Sequence, residues 1–316
     1  MQKQIICIGA ALVDELYSAS APMLLATTND ATVHRSAGGV SRNIAHQLAL
    51  LGLPIQLITV FGNDGEGDWL KTICSYTNIK LDASITTSSL TGKYTGILNY
   101  DGSLFTALIT NSELDLITPQ HLEKNQDLLL TASIIVADAN ISVEAMQWLA
   151  NFCDINEIPF IIEPVSVPPA AKLSNMNLKG VYMLTPNEDE LPALTNNNHY
   201  TTIHEQAEEL LNRGVKKVWL HRGVNGSILF TKDKTIELAA PDVKEIKDCT
   251  GAGDGSLSGF ILAQSLKKSD EESLQIAHTL SAEILQINGA IATHIKQDEL
   301  LNLVCKYYPT YESISI

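Results

Sequence analysis

The sequence predicts an α/β fold of three layers, in which a parallel central sheet lies between helices and carries a small β-lid. Three observations lead to this prediction. Short apolar runs typical of buried strands alternate with segments of helical periodicity up to about residue 220. Residues 94–109 have the character of a hairpin where a helix would continue the alternation. The chain after residue 250 has helical periodicity almost throughout.

The elements of the main layers follow one another in a repeated strand–helix order. Residues 5–8 form the first apolar run, and a helix is expected from about 41 to 51, ended by Gly52. Repeated units of this kind imply a parallel sheet covered on both faces. The further strands are predicted at 55–60, 134–137, 159–162, 181–184 and 217–220, and the further helices at about 67–76, 142–153, 203–213, 253–267, 270–288 and 296–306.

The predicted lid is a small β-sheet within a single domain that spans residues 1–316. Strand-like runs on either side of Asp101-Gly102-Ser103 form a hairpin, because this tripeptide is a turn signal. Strands from residues 12–20 and 31–36 are expected to join the hairpin. We therefore predict a lid subdomain built from about 12–36 and 94–109.

Composition excludes several classes of function. The net charge of −15 disfavours a nucleic-acid partner, because an acidic chain gains nothing from a polyphosphate backbone. The five cysteines are widely spaced and form no Cys-x-x-Cys pair, which indicates free thiols in a reducing compartment. No signal-peptide pattern and no apolar stretch long enough to span a bilayer is present. We expect a cytoplasmic protein whose partners are small molecules.

The run Asp248-Cys249-Thr250-Gly251-Ala252-Gly253-Asp254-Gly255 carries the most functional information. It precedes an apolar helical series, and a helix start leaves N–H groups free and favours negative charge. Its glycines let the backbone approach an anion closely. A carboxylate inside such an anion cradle would repel the anion unless it is there to take a proton. The run predicts phosphoryl transfer to a hydroxyl group; the alternative is a close-packed helix start capped by Asp254.

Two signatures in this order resemble those of the PfkB/ribokinase carbohydrate kinases. The segment Gly38-Gly39-Val40-Ser41-Arg42-Asn43 resembles the N-terminal signature of that family, and residues 248–254 resemble the C-terminal one. Residues 185–191 match the family's Asn-x-x-Glu segment, and Gly289-Ala290 closes the long penultimate helix. The resemblance covers essentially the whole chain and implies a ribokinase-like fold and an ATP-dependent kinase.

The resemblance also implies which residues surround the acceptor hydroxyl. Asp254 is implied as the general base, and the backbone N–H groups beside it would stabilise the charge on the transferred phosphoryl group. The residues implied in these catalytic roles are Asp254, Gly251, Ala252 and Gly253. Those implied at the acceptor's sugar ring are Asp14, Gly38, Gly39 and Asn43.

The nucleotide and metal side of the site is implied in the same way. Asn187 and Glu190 would position Mg²⁺ through water, although their spacing alone also suits a helix capping box. Oxygens of Asp248 and Thr250 would form the family's monovalent-cation site, which implies a K⁺ dependence. The residues implied beside ATP are Asn187, Glu190, Arg222, Gly223, Gly226 and His278. The alternative for His278 is a histidine exposed on the surface of a helix.

Two further segments point to the acceptor. Asp138-Ala139-Asn140 and Glu163-Pro164-Val165-Ser166 each follow a predicted parallel strand, and open sheets bind ligands at that edge. Together with residues 39–43 they resemble pseudouridine kinases, which transfer the γ-phosphate of ATP to the 5′-hydroxyl of free pseudouridine. Asn140, Glu163 and Ser166 are therefore implied substrate residues, and an amide suits a uracil edge. Pro169 stands where many such kinases carry lysine, with Lys172 one turn further on.

Three alternatives remain at this stage. The same chemistry on ribose, adenosine or a hexose is the nearest one. A ligand-binding paralogue without catalysis is the second, and the retained Asp254 disfavours it. A dinucleotide-dependent dehydrogenase is the third, but Gly9 lacks the rest of that fingerprint. The open apolar face of the lid is expected to be buried in a homodimer.

Overall fold

A computed structural model of the chain describes residues 3–195, 201–309 and 311, apart from the side chain of Ser112. Within this part of the chain, the strands are β1 (Gln4–Ile8), β2 (Leu12–Ala19), β3 (Ala31–Gly38), β4 (Ile55–Ile58), β5 (Val60–Gly62), β6 (Ile85–Thr87), β7 (Lys93–Leu98), β8 (Leu104–Thr110), β9 (Ala132–Asp138), β10 (Phe160–Glu163), β11 (Met183–Leu184), β12 (Lys217–His221), β13 (Ser227–Thr231) and β14 (Thr235–Leu238). The α-helices are α1 (Val40–Leu50), α2 (Gly65–Tyr76), α3 (Pro119–Lys124), α4 (Gln126–Leu129), α5 (Val143–Asn156), α6 (Val167–Lys172), α7 (Glu190–Thr195), α8 (Ile203–Asn212), α9 (Ala252–Ser265), α10 (Asp270–Ile284) and α11 (Gln297–Tyr307).

The central sheet has eight strands in the order β14-β13-β12-β11-β10-β9-β1-β4. The six strands from β12 to β4 pair in parallel, which confirms the predicted parallel central sheet for this part of it. The predicted strand at 55–60 is divided in two. Residues of β4 stay in the central sheet, whereas β5 leaves it and pairs with β6.

One edge of the sheet differs from the prediction of a wholly parallel arrangement. Strands β12, β13 and β14 pair antiparallel, and neither β13 nor β14 was predicted. The loop between β13 and β14 contains only Lys232-Asp233-Lys234. A connection this short can join only antiparallel neighbours, because a parallel crossover needs a dozen residues or more. The hairpin forms one edge of the central sheet.

Both faces of the central sheet are covered by helices, as three layers require. In β1, Ile6 and Ile8 belong to one buried cluster, while Ile5 and Cys7 belong to the other, because successive side chains of a strand point to opposite faces. Helices α5 and α8 contribute to the first cluster, and α1 and α9 to the second. Within the described residues, no helix combines the length and the apolar character that crossing a bilayer requires.

A second sheet, with the order β3-β2-β7-β8, occupies the predicted position of the lid. It consists of the hairpin β7–β8 and the strands β2 and β3, and three of these strands extend one or two residues beyond the ranges 12–36 and 94–109. A group of four charges ties this sheet to α2. The Nζ atom of Lys93 lies 3.0 Å from Glu15 and 3.1 Å from Glu66, and Arg35 pairs with both carboxylates.

Candidate active site

Residues 251–254, which are predicted to form an anion cradle, lie at the start of α9. Gly251 precedes the helix with a φ of +76°, and a Cβ atom there would lie 2.5 Å from the Cα of Ala290. Only glycine therefore suits this position. The helix start leaves the N–H groups of Gly253 and Asp254 without partners four residues back, and the N–H of Ala252 makes only a long contact of 3.3 Å with the carbonyl of Cys249. A Cβ added to Gly253 would meet no atom within 4 Å, so the space in front of the helix is open.

Asp254 lies in this first turn, with its side chain partly exposed. The side-chain amide of Asn43 donates to its Oδ2 at 2.7 Å. Burial raises the pKa of Asp254 to about 7, and Asp138 and Asp14 act in the same direction, whereas Asn43 and Arg42 oppose them. A carboxyl group with a pKa near neutrality is suited to accept a proton at physiological pH.

The four residues predicted at the sugar ring lie together beside Asp254. A Cβ atom on Gly38 would lie 2.3 Å from a carboxylate oxygen of Asp14, so the two residues are in direct contact. Gly39 has a φ of +93°, and its Cβ would lie 2.4 Å from the carbonyl oxygen of Ala10. Burial raises the pKa of Asp14 to about 6, while Arg42 lowers it.

Asp138 organises this edge of the sheet, and sequence reasoning gave it no role of its own. Its Oδ2 accepts the backbone N–H groups of Ala10 at 2.8 Å and of Ser41 at 3.0 Å. A Cβ atom on Gly9 would lie 2.4 Å from its carboxyl group. The buried carboxylate thereby joins the ends of β1 and β9 to the start of α1. An aspartate that ends an apolar strand was the available signal.

The side chains predicted to contact the uracil differ in whether they already have hydrogen-bond partners within the protein. The Asn140 amide donates to Asp138 Oδ1 at 2.9 Å and accepts from Asn111 Nδ2 at 3.0 Å, so a base would have to replace one of these contacts. Ser166 is exposed at the start of α6 and caps no N–H group with its side chain.

Glu163 ends β10 and faces the same edge of the sheet. Burial raises the pKa of Glu163 well above its ordinary value, and the charges of Asp254, Glu190 and Asp138 add to this effect. Its Oε2 accepts the N–H of Val165 at 2.8 Å. Val165 has a φ of +72°, which is rare for a β-branched residue and stores backbone strain next to the site.

Asn187 and Glu190 form the reciprocal hydrogen bonds of a capping box. The carboxylate of Glu190 accepts the N–H and the side-chain amide of Asn187 at 3.0 Å and 2.9 Å, and Asn187 Oδ1 accepts the N–H of Glu190 at 2.9 Å. Each carboxylate oxygen still has a free lone pair, which suits contact with a metal-bound water. Within the described residues, no three side chains of His, Cys, Asp or Glu are grouped to ligate one metal ion directly.

A cavity of about 510 Å³ adjoins the anion cradle on the side of the β12–β14 edge. Ala252 and Gly253 line one end of it, and the wall is otherwise mainly apolar. Of the residues predicted beside ATP, Gly223, Gly226 and His278 line this cavity. Arg222 is not among the lining residues, because its guanidinium pairs with Glu188 at 3.3 Å and with Glu237 at 2.6 Å.

His278 is buried at 6% exposure, so the alternative of a surface histidine is wrong. Its Nδ1 lies 2.9 Å from the hydroxyl of Tyr308, which donates its own proton to the carbonyl of Ala239. Nδ1 must therefore carry the proton, and the neutral ring accepts the hydroxyl of Ser227 at Nε2. Both ring nitrogens are engaged, which leaves the ring face and its C–H edge for a nucleotide base.

The predicted cation-site residues hold the loop before α9. Asp248 accepts the N–H of Thr250 at 2.9 Å and the N–H of Gly289 at 3.0 Å. Burial acts to raise the pKa of Asp248, but these hydrogen bonds outweigh it and the pKa is lowered. The carboxylate is therefore a permanent negative charge beside the anion cradle, as a cation site would require.

Comparisons with known proteins agree with this geometry. An uncharacterized sugar kinase of Escherichia coli, YeiI, is 29% identical over 284 residues, which cover 86% of this chain and 75% of the relative. A pseudouridine kinase of the same organism is 27% identical over 259 residues, which cover 81% and 82% of the two chains. The structure of a ribokinase from Thermotoga maritima superposes with a TM-score of 0.84 over 96% of this chain and 99% of the other, at 23% identity. The model of the pfkB family carbohydrate kinases matches residues 2–297, and the chain therefore belongs to this family.

Proposed function

We propose that the protein transfers the γ-phosphate of ATP to the 5′-hydroxyl of pseudouridine, yielding pseudouridine 5′-phosphate and ADP. One observation carries the kinase chemistry: the Asp254 carboxyl lies in the first turn of α9, hydrogen-bonded to Asn43 and next in sequence to Gly253, which lines the open cavity. Membership of the family makes a sugar or a nucleoside the acceptor and ATP the phosphoryl donor. The choice of pseudouridine as the acceptor goes beyond what membership of the family implies.

In the proposed mechanism, Asp254 accepts the proton of the attacking hydroxyl. Its partial burial and its carboxylate neighbours raise its pKa to about 7, which brings its basicity close to the working pH. The N–H groups of Ala252 and Gly253 stabilise the charge on the phosphoryl oxygens, assisted by the dipole of α9. Mg²⁺ would neutralise phosphate charge when bound, held through water by Glu190. We propose K⁺ beside Asp248 and Thr250.

The assignment of the acceptor is supported by two observations. The identity to a pseudouridine kinase extends over four-fifths of both chains, although a sugar kinase is similar to the same extent. At the edge of the sheet, Asn140, Glu163 and Ser166 offer an amide, a carboxyl group that burial tends to keep protonated, and a free hydroxyl. Such a set supplies both donors and acceptors, which a uracil edge with two carbonyls and two N–H groups needs.

An acceptor panel tests the proposal. The purified protein is assayed for ADP formation with ATP and Mg²⁺ against pseudouridine, uridine, adenosine, ribose and a hexose. We expect pseudouridine to give the highest kcat/KM. Turnover of another acceptor without turnover of pseudouridine would refute the specificity but leave the kinase function intact.

A second assay separates catalysis from ligand binding alone. Asp254→Asn is expected to bind the nucleoside in calorimetry and to lose turnover. A wild-type protein that binds nucleoside and phosphorylates none of the panel would instead be a non-catalytic relative.

We also propose that the lid sheet pairs with a second copy of the chain. Several large apolar side chains on β3 and β8 are exposed, and β8 lies at the edge of the sheet. The residues concerned are Val33, Leu104, Phe105, Leu108 and Ile109. An exposed apolar patch of this kind is typical of an interface. Light scattering on the wild type and on Leu108→Asp would show a dimer and a monomer, respectively, if this face is the contact.

A further inference from the structure

Arg42 has an environment that the proposed reaction does not yet explain. Its side chain is among the largest that are fully buried, with 2% of the residue exposed. Within residues 3–195, 201–309 and 311, no carboxylate oxygen lies within 4.0 Å of its guanidinium. Removing an arginine from water without a direct counter-charge is costly. The hydrogen bonds that Arg42 makes must therefore offset this cost.

The guanidinium donates hydrogen bonds to the last two residues of the lid strand β3. Nε donates to the carbonyl of Gly38 at 3.2 Å, and one terminal nitrogen donates to the carbonyl of Ala37 at 2.5 Å. Both carbonyls belong to the end of β3, where this strand leaves the lid and the chain enters α1. The other terminal nitrogen lies 3.1 Å from Nδ1 of His46, which must be an acceptor because arginine only donates.

The same guanidinium also contacts the side chain of Asn43. It donates to Oδ1 of Asn43, and this contact fixes which end of the amide carries the nitrogen. The Nδ2 group is consequently directed at Asp254, to whose Oδ2 it donates at 2.7 Å. Without the guanidinium, the amide could rotate by 180° and present its oxygen to a carboxylate.

We propose that Arg42 is a positioning residue that couples the end of the lid strand β3 to the base Asp254 through the amide of Asn43. The proposal rests on the proposed kinase function and assigns to Arg42 no contact with substrate. A lid that moves on acceptor binding would shift the carbonyls of Ala37 and Gly38, and the guanidinium would transmit this shift to Asn43. The base would then be oriented only when the lid is in place.

The charge of Arg42 acts in the same sense as its hydrogen bonds. Asp254 is faced by carboxyl groups of Asp14 on β2, Asp138 at the end of β9 and Glu163 at the end of β10. Arg42 is the cation among its neighbours, and it opposes the rise that burial and Asp138 cause in the pKa of Asp254. Loss of Arg42 is therefore expected to leave the base both misdirected and more readily protonated.

A double-mutant cycle on kcat tests the coupling. The variants are Arg42→Met, Asn43→Ala and the combination of both, measured with saturating ATP and acceptor. We expect Arg42→Met to lower kcat by roughly 10- to 100-fold, since misplacing a reacting group by about 1 Å has effects of this size. Each variant is compared on the pH-independent plateau of its kcat profile, where the base is ionised and the direct charge effect of Arg42 on its pKa no longer contributes. There the double variant should be no slower than Asn43→Ala alone, because Arg42 acts through Asn43. Effects that multiply would overturn the proposal, and so would an unchanged kcat for Arg42→Met.

Arg213→Met is the matched control for lost packing. Arg213 is only partly buried and pairs with Glu209 at 3.5 Å, but like Arg42 it donates to backbone carbonyls, those of Leu194 and Met176, and it is given no role in the site. We expect it to lower the melting temperature while the folded enzyme keeps its kcat. If Arg42→Met does not fold, Arg42→Lys replaces it, because one ammonium group cannot reach β3 and Asn43 together. Its kcat should also fall, and a kcat equal to wild type would overturn the proposal.

A titration distinguishes failure of this proposal from failure of the proposed function. The carboxyl carbon of Asp254 is followed by NMR in the wild type and in Arg42→Lys, with Asp254→Asn identifying the signal. Misdirection of the Asn43 amide should raise the pKa of Asp254 in the variant, whether or not any acceptor is phosphorylated. An identical titration in both proteins would overturn the coupling even in an active kinase.

Discussion

We predict that Asp254→Asn raises the stability of the folded protein while it lowers the activity. Burial raises the pKa of the folded-state carboxyl from 3.8 to about 7. Between these values the folded protein binds more protons than the unfolded chain, so the stability present below about pH 4 is lost as pH rises to about 7. Three pKa units correspond to about 4 kcal/mol at most. Because Asp254 is partly exposed, we expect a penalty of about 1–3 kcal/mol from its ionisation.

Asparagine has nearly the same shape and carries no charge to bury. We therefore expect Asp254→Asn to melt a few degrees above the wild type at about pH 8, with the difference shrinking towards about pH 4. Turnover should fall by roughly 10²–10⁴-fold, as for other lost general bases. Differential scanning calorimetry across this pH range and a coupled ADP assay give the two quantities. A variant that melts below the wild type at about pH 8, or a difference independent of pH, would refute the electrostatic account of this site.

Three further variants test the neighbouring contacts. Tyr308→Phe removes the hydroxyl that holds His278 and a carbonyl beside the cavity, so KM for ATP should rise by roughly three- to tenfold with kcat unchanged in steady-state assays. Gly39→Ala should lower the free energy of unfolding in urea by about 2–4 kcal/mol; Gly52→Ala, at a similar positive φ but in open space, should cost only about 1 kcal/mol. Asn43→Ala removes a hydrogen bond that lowers the pKa of the base, so the acidic limb of its kcat/KM profile should move to higher pH; an unmoved limb would contradict that role.

Local sequence signals were sufficient for most of the fold and for the centre of the site. Buried parallel strands read as apolar runs because both their faces are covered, and β1, β9, β10 and β12 lie within a few residues of the predicted positions. The cradle is predictable from local sequence because its proposed function depends on consecutive backbone N–H groups. The glycines at 251 and 253 and the carboxylate at 254 all lie within residues 248–255, so no contact between distant segments is needed to recognise them.

What the sequence did not reveal depends on contacts between distant segments. Asn43 and Asp254 are 211 residues apart, and the hydrogen bond between them exists only because α1 and α9 pack on the same face of the sheet. His278 was open to interpretation as a surface residue, because its partners Ser227 and Tyr308 lie 51 and 30 residues away. The β13–β14 hairpin is not predicted, because its short strands directly follow a glycine turn whose sequence also suits nucleotide binding.

The distribution of charge explains why this site depends on backbone groups. The cavity beside α9 is lined by no lysine or arginine within the described residues, and its one acidic residue is Asp242. The chain as a whole carries a net charge of −15, so a polyphosphate approaching the cavity is repelled by the average field. Attraction must come from the N–H groups and dipole of α9 and from cations that arrive with the nucleotide.

ATP binding is therefore expected to depend strongly on a divalent metal ion. Because no side-chain cation lines the cavity, ATP affinity should fall steeply when Mg²⁺ is chelated, and raising the concentration of NaCl should not restore it. Isothermal titration of ATP with Mg²⁺, with EDTA, and with EDTA plus NaCl measures this directly. Placing a lysine at Val243, on the cavity wall, should then recover part of the affinity in EDTA, since the new ammonium supplies the charge that the chain itself lacks. Tight binding of ATP to the wild type in EDTA would mean that backbone amides and the helix dipole alone hold the triphosphate.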